Sequence, residues 1–273
     1  MIQASVARNA GTRAAVQYVT PSREPLYCYA TAPVNGQPES NVTFEERVVD
    51  ISNARTSAPL LSLDRDGAAL LRQSSRLASF NDEREIRETY YAEAADIIRS
   101  VTGAQQVAVF DHNIRRGGVG SNGDGARRPV FHAHADFTAT SALRRATEVM
   151  GPIVQTARRL VAINLWRPIA EPVRDSPLAF CAATSVASED LVPAELRYEN
   201  RTGEIYYLSY NPQHRWLYAP EMRKSEFWLF KNSDSLVTCP ARVTPHSAFI
   251  DTAAPTAMPP RQSIEVRAFA LFE

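Results

Sequence analysis

Five histidines are the whole supply of this 273-residue chain. Two of them stand in the run Phe131-His132-Ala133-His134-Ala135-Asp136-Phe137. A strand places alternate residues on one face. His132, His134 and Asp136 then form a row of metal-capable side chains, backed by an apolar face of Phe131, Ala133, Ala135 and Phe137. A further histidine, His246, stands far downstream in Pro245-His246-Ser247. The row offers two ligand pairs, His132 with His134 or His134 with Asp136. A carboxylate beside an imidazole, completed by a distant histidine, is a 2-His-1-carboxylate set; it suits non-haem Fe(II) and leaves coordination positions open for reactants. Each piece alone has a plainer explanation, a hydrogen-bonded strand face or a loop histidine. Together they point to oxygen-using metal chemistry.

A second pattern lies beyond His246. Arg261 and Ser263 are two apart in a strand-like run, so they share a face. The planar fork of an arginine with a hydroxyl beside it can clamp a carboxylate. A 2-oxo acid chelating iron needs such a clamp at its far end. Glu265 and Arg267 continue the same face, with Glu265 placed to neutralise Arg267. Asn164-Leu165-Trp166-Arg167-Pro168 closes another strand. Asn164 is a candidate hydrogen-bond donor to the cosubstrate, and Trp166, Arg167 and Arg267 are candidates to touch substrate. The aromatics Tyr206, Tyr207, Tyr210, Trp216, Tyr218 and Trp228 fit core packing better than an apolar substrate wall. Gly118, Gly120 and Gly123 have the spacing of a dinucleotide loop, but Asp124-Gly125-Ala126-Arg127-Arg128-Pro129 follows where an apolar helix is required. The stretch Arg115–Arg128 reads instead as a mobile loop, a lid beside the metal row.

The elements that must position these residues follow from periodicity. Strands are expected around Arg13–Thr20 and Glu46–Ile51, and helices over Asp64–Arg76 and Glu83–Val101. The second helix is the clearer one: Ile86, Tyr90, Ala94, Ile97, Ile98 and Val101 recur at helical spacing, and Gly103 is a natural stop. Beyond it the pattern turns to β, with Gln106–His112, Pro129–Asp136, Arg159–Arg167, Glu204–Tyr210, Glu226–Asn232 and Gln262–Phe272 interrupted by one helix near Ser141–Val149. The expectation is a mainly β fold with flanking helices around a jelly-roll, cupin-like core. One oxygenase domain over 1–273 is expected, with N-terminal strands and a link over 1–60, supporting helices over 61–103 and the core over 104–273.

Composition narrows the partners. Thirty basic residues balance thirty acidic ones, and only Lys224 and Lys231 are lysines, an arginine bias that codon usage explains. A net charge of zero argues against nucleic acid or an anionic membrane and for a small-molecule substrate with O2. Cys28, Cys181 and Cys239 are odd in number and widely spaced, which suits a reducing, cytoplasmic setting. No apolar stretch is long enough to span a membrane.

The order of His134-Ala135-Asp136, Asn164 to Pro168, His246 and Arg261 to Arg267 resembles the hydroxylase/desaturase family of Fe(II)/2-oxoglutarate-type oxygenases. That group includes the fungal polyketide hydroxylase/desaturases, gibberellin-desaturase-like proteins and the cephamycin methoxylation protein. Val107 to His112 and Glu226 to Asp234 carry further likeness, and the resemblance runs over roughly residues 85–273. It implies a double-stranded β-helix, iron on His134, Asp136 and His246, and oxidation of a secondary-metabolite-like molecule with 2-oxoglutarate as cosubstrate. Two alternatives stay open: an Fe(II)/O2 oxidase on the same fold without 2-oxoglutarate, and a non-redox cupin-like binding barrel. The Arg261–Ser263 pair counts against the second.

Overall fold

The computed structural model describes residues 11–31, 33, 36–56, 61–117, 127–252, 254–255 and 258–273. In chain order the first strands are β1 (Thr12–Val19), β2 (Leu26–Tyr29), β3 (Phe44–Asn53), β4 (Ala68–Arg72), β5 (Gln106–Arg116), β6 (His134–Ala135) and β7 (Arg159–Pro168). There follow β8 (Leu178–Cys181), β9 (Leu191–Arg197), β10 (Thr202–Leu208), β11 (Trp216–Tyr218), β12 (Glu226–Asp234), β13 (His246–Ala248) and β14 (Gln262–Phe272). Five of them, in the order β4-β12-β7-β14-β5, make the smaller sheet; the rest, β1-β3-β11-β8-β13-β6-β10-β9-β2, make the larger. The pairings leap along the sequence, as a double-stranded β-helix requires, and the chain adopts the expected jelly roll.

β7, β12 and β14 are buried on both faces; β7 and β14 are accordingly rich in apolar residues, while β12 also encloses Lys231, Asn232, Ser233 and Asp234. Val161, Ile163, Leu165, Val266, Ala268 and Ala270 face outward onto a helix. That helix, α1, starts as Glu83–Glu85, passes through a π-helical turn at Ile86–Tyr90 and continues as Tyr91–Thr102. Asp82 caps it by accepting from the backbone N–H of Arg84 (2.8 Å). Gly103 ends it in the left-handed conformation, φ 74°. The stripe Ile86, Tyr90, Ala94, Ile97 and Ile98 is the face that packs on the sheet. A second helix, α2 (Ala139–Met150), closes one end of the barrel through Ala142 and Ala146, which meet Ala162 and Phe269.

The larger sheet curls until its first strand meets its middle. Ala133 N donates to Gln17 O (2.8 Å), so β1 lies along the segment that leads into β6. The curl encloses a second core of Val16, Tyr18, Ala133, Cys181, Trp216 and Phe249. Trp216 Nε1 donates to the Tyr18 hydroxyl at 2.7 Å inside it. The N-terminal strands are therefore part of the wall.

Two expected elements differ. The helix expected over Asp64–Arg76 is replaced by β4, which pairs antiparallel with β12 from Ala68↔Phe230 to Arg72↔Glu226. Its apolar run is too short for periodicity to decide, and sheet pairing overrides the helix propensity of alanine and leucine. Of the run Pro129–Asp136, strand pairing covers His134–Ala135, with an isolated bridge from His132 to Gln17. The short strands β2, β8, β9, β11 and β13 carry no pattern of their own and exist through their neighbours. In the loop expected over Arg115–Arg128, residues 118–126 lie outside the described residues. Its two ends meet, with Arg116 N donating to Arg127 O (3.0 Å). Among the described residues no helix is long and apolar enough to cross a membrane.

Gly67, at φ +84°, starts β4, and a Cβ there collides with Thr244 Oγ1. Its carbonyl accepts from Lys231 N (2.9 Å) and from Thr244 Oγ1 (3.0 Å). Gly67→Ala is expected to cost about 2–4 kcal/mol, read as a lower urea midpoint at unchanged slope. A midpoint within error of the parent protein would refute this account of the turn.

Candidate metal centre

β6 lies between β10 and β13, and the register sets His134 opposite Tyr207 on one side and opposite His246 on the other. Directly opposed residues in an antiparallel pair point to the same face, with Cβ atoms about 5 Å apart. The two imidazole centroids are 4.4 Å apart. Asp136 follows immediately after β6, where its backbone N–H donates to Asn232 Oδ1 (2.8 Å). Two residues on, Thr138 caps α2 in a reciprocal box with Ser141. This turn brings Asp136 Oδ1 to 3.8 Å from His134 Nε2. Ligand atoms of His134, Asp136 and His246 all fall within 4.8 Å of one another.

The surroundings prepare these atoms for a cation. His134 Nδ1 lies 2.9 Å from His132 O, and His246 Nδ1 lies 3.3 Å from Thr244 O. A carbonyl only accepts, so each Nδ1 carries the proton and each Nε2 keeps a free lone pair. Asp136 Oδ2 accepts from Asn164 Nδ2 at 2.7 Å. Burial, helped by His246, pushes His134 down to about 3; burial lowers His246 too. For Asp136 burial acts upward, but Arg267, His246, His134 and the Asn164 hydrogen bond outweigh it and hold the carboxyl at about 2. At neutral pH the trio is two neutral imidazoles and one carboxylate, a donor set that fits Fe(II). His132 does not supply one of the three gathered ligand atoms: its ring lies 5.4 Å from that of His134 but is stacked on Phe44 at 4.9 Å and edge-on to Tyr207 at 5.3 Å.

Opposite the trio is the inner face of the smaller sheet. Register places Ser263, Glu265 and Arg267 of β14 beside Pro168, Trp166 and Asn164 of β7, and beside Arg115, Asn113 and Asp111 of β5. Arg261 is 3% exposed, donates from Nη1 to Ser176 O, and lies 5.6 Å from the Trp166 ring. Its Nε and the Ser263 hydroxyl are buried with no hydrogen-bond partner. Burial, and then Arg115, pushes Arg261 down to about 9. A guanidinium so short of anions, with an orphaned hydroxyl two residues along, fits the carboxylate of a ligand.

The other expected residues divide by face. Asn164 donates to Asp136, and its Oδ1 is left without a partner. Trp166 packs among Phe180, Trp228 and Phe230 beneath Arg261. Arg267 bonds Asp111 instead of Glu265. Arg167 projects to the opposite side, where it donates to Tyr90 Oη (3.1 Å), Gln73 O (2.6 Å) and Lys224 O (2.9 Å), away from the trio. Sequence reasoning passed over Asn232 and Thr244, which hold Asp136 and His246 in place, and Arg115, which acts by charge on Glu265 and Asp136. Asn232 stands among Lys231, Ser233 and Asp234 at the polar end of β12, so nothing in the sequence singled it out. Burial and Asp136 raise the Glu265 carboxyl to about 7, against the pull of Arg115, Arg267 and Arg261.

A family model described as an oxidoreductase/YMDC permease-like domain matches residues 16–271. The chain is 30% identical, over 90% of its length and 90% of the relative's, to the Fe(II)/2-oxoglutarate-dependent dioxygenase nvfI of Aspergillus novofumigatus. It is 29% identical, over 86% of each, to the hydroxylase/desaturase efuI of Hormonema carpetanum. A solved structure of the iron and alpha-ketoglutarate-dependent endoperoxidase NvfI superposes with a TM-score of 0.88 at 26% identity, covering 96% of this chain and 98% of that one. The chain belongs to this family of Fe(II)/2-oxoglutarate-dependent dioxygenases and hydroxylase/desaturases.

His134→Ala, Asp136→Ala and His246→Ala should each abolish Fe(II) binding in anaerobic titration, while His132→Ala keeps most of it. If His132→Ala is as damaging as His134→Ala and Asp136→Ala is tolerated, the ligand set is misassigned. Because burial holds His134 down to about 3 and lowers His246 as well, no imidazole proton has to leave on metal binding near neutral pH. The apparent Fe(II) affinity is expected to be flat between about pH 5.5 and 7.5, where a site of ordinary histidines weakens. A steep loss over that interval contradicts the depressed imidazoles.

Proposed function

We propose that this chain is a non-haem Fe(II)/2-oxoglutarate-dependent oxygenase that hydroxylates or desaturates a small secondary-metabolite-like molecule using O2. Two observations carry this reading: the gathered His134–Asp136–His246 trio, and the buried, unpartnered Arg261 Nε and Ser263 Oγ at the start of β14. Iron and 2-oxoglutarate, when bound, supply the oxidising power from O2, with succinate and CO2 as by-products. The chain's own residues bind and orient. His134, Asp136 and His246 hold the metal on one side and leave its other positions to reactants. Arg261 and Ser263 take the distal carboxylate of 2-oxoglutarate, and Asn164 steadies the Asp136 carboxylate. Phe180 and Phe230, whose rings lie 6.2 and 4.8 Å from that of His246, and Trp166 beside them keep water from the reacting atoms. Arg267 acts on Asp136 by charge, and Arg167 belongs to the support behind the sheet.

The two sheets are read as one oxygenase domain, because the ligands come from the larger and the clamp from the smaller. The proposed setting is the cytoplasm, supported by Cys28, Cys181 and Cys239 standing as free thiols. A balanced net charge supports a small-molecule substrate over nucleic acid or membrane.

Anaerobic addition of 2-oxoglutarate to the Fe(II)-loaded chain should raise the weak visible charge-transfer band of the chelate. A charge-assisted clamp is worth about 1.5–3 kcal/mol, so Arg261→Ala should raise the 2-oxoglutarate requirement about tenfold to a hundredfold. Arg267→Ala should instead weaken iron binding. An unchanged requirement in Arg261→Ala, with loss in Arg267→Ala, moves the clamp along β14. Turnover without any dependence on 2-oxoglutarate favours an Fe(II)/O2 oxidase.

A further inference from the structure

Behind the metal centre lies a second buried polar cluster that the oxygenase chemistry does not use. Lys231 of β12 is one of two lysines in the chain, and its side chain is 1% exposed. Its Nζ donates to Asp234 Oδ2 (2.8 Å) and Asp64 Oδ1 (3.0 Å) and lies 3.1 Å from Cys239 Sγ. Arg159 bonds both carboxylates as well. Asp64, Asp234 and Cys239 sit close enough to suggest a metal site. The ammonium and the guanidinium already occupy that space with the charge a metal would bring. What remains unexplained is a primary amine aimed at a thiol. The pair is also within reach of a small reagent. A cavity of about 300 Å³, lined in part by Asp64, Val101, Arg159, Lys231 and Phe272, leads to it.

The cluster is tied to the iron ligands through the backbone. Lys231 O accepts from Thr244 N (3.0 Å), and Thr244 O accepts from His246 Nδ1 (3.3 Å). The next residue, Asn232, accepts from the backbone N–H of Asp136 (2.8 Å). Lys231 and Cys239 therefore bracket the start of the segment that runs from the seat of Asp136 to His246.

We propose that Lys231 and Cys239 form a reversible covalent Nζ–O–Sγ bridge under oxidation by peroxide, fastening β12 to the loop ahead of β13. In the first step one hydrogen peroxide converts the Cys239 thiol to a sulfenic acid, with loss of one water and a two-electron oxidation of sulfur. In the second the sulfenic acid, the Lys231 amine and another hydrogen peroxide give the S–O–NH bridge and two waters. The O–N bond forms as the peroxide O–O bond breaks, and nitrogen supplies the two electrons. The proton that Lys231 must shed passes to Asp234 or Asp64, which already accept from Nζ. The 3.1 Å separation suits one intervening atom; a direct S–N bond needs the two segments to close further. An arginine, the usual basic residue of this chain, presents no primary amine for the reaction. A thiol reductant reopens the bridge. Closed, it braces the peptide groups that hold Asp136 and His246, and so slows metal loss.

The test uses the full chain loaded with Zn(II) in place of iron, so that peroxide meets no redox metal. After hydrogen peroxide treatment, peptide mapping by mass spectrometry should find Lys231 and Cys239 joined, with one oxygen gained and two hydrogens lost. Dithiothreitol should remove the link, and Lys231→Arg and Cys239→Ser should lack it. Zinc release to a chelator should be several-fold slower from the bridged than from the reduced protein. Cys239 recovered as a sulfinic acid beside an unmodified Lys231, or an intact Cys239 beside an oxidised Cys28, overturns the proposal. A link that has lost two hydrogens without gaining oxygen overturns the one-atom bridge, and unchanged zinc release overturns its bracing role. The map of the parent protein decides the chemistry even where a variant fails to fold.

Discussion

Everything in the centre depends on the pairing of β6 with β13. Both strands are very short, His134–Ala135 and His246–Ala248, so their own hydrogen bonds cannot fix a register. A slip of one residue turns a histidine to the wrong face, because side chains alternate with a period of two. The register is held from outside. β8 aligns β13 through His246↔Phe180, Ser247↔Ala179 and Ala248↔Leu178, while β10 aligns β6 through Tyr206↔Ala135 and Tyr207↔His134. On the reverse face Ala133 and Ala179 meet the packed aromatic core of Tyr18, Trp216 and Phe249, where only a small side chain fits between the rings. Neighbouring strands thus impose one alignment, and that alignment makes a ligand pair out of two distant residues.

The charges across the cavity follow from the same enclosure. Arg115, Arg261 and Arg267 face Asp136, Glu265 and Asp111 in a medium where an unmatched charge is expensive. Arg267 is matched by Asp111 and acts on Asp136; Arg261 has a carbonyl for a partner and no carboxylate. On the proposed reading, a divalent metal on Asp136 would add positive charge at one end of this row, and a dianionic cosubstrate would return the balance at the other. The three arginines read as one arrangement that is complete only when both are bound.

How much of this was legible depends on how local each signal is. α1 could be read because its apolar stripe, its Asp82 cap and its Gly103 stop all lie within one stretch. His134 and Asp136 could be read because alternation alone puts them together. His246 could be suspected from its chemistry, but its place beside His134 arises from a strand pairing that no local pattern contains. β4 was read as a helix because Ala68 to Leu71 favour a helix by propensity and become a strand only beside β12. Arg167 and Asn164 show the limit of alternation. It separates two faces, but β7 is polar on both, and which face meets the cavity was settled by where Tyr90 and Gln73 stand to receive the arginine.

The curl of the larger sheet has a consequence for the life history of the protein. β1, the first of the described strands, holds the segment 131–133 in line with β6, while β14, the last of them, carries Ser263 and Arg267 with Arg261 just ahead of it. A chain still leaving the ribosome owns His134 and Asp136 but not the opposing wall, and contacts of such long range form late. On the proposed reading of the site, the wall opposite the trio is complete only once β14 has paired between β7 and β5. If the trio holds iron as proposed, a copy in which β14 has not paired keeps His134, Asp136 and His246 but lacks the arginines that face them.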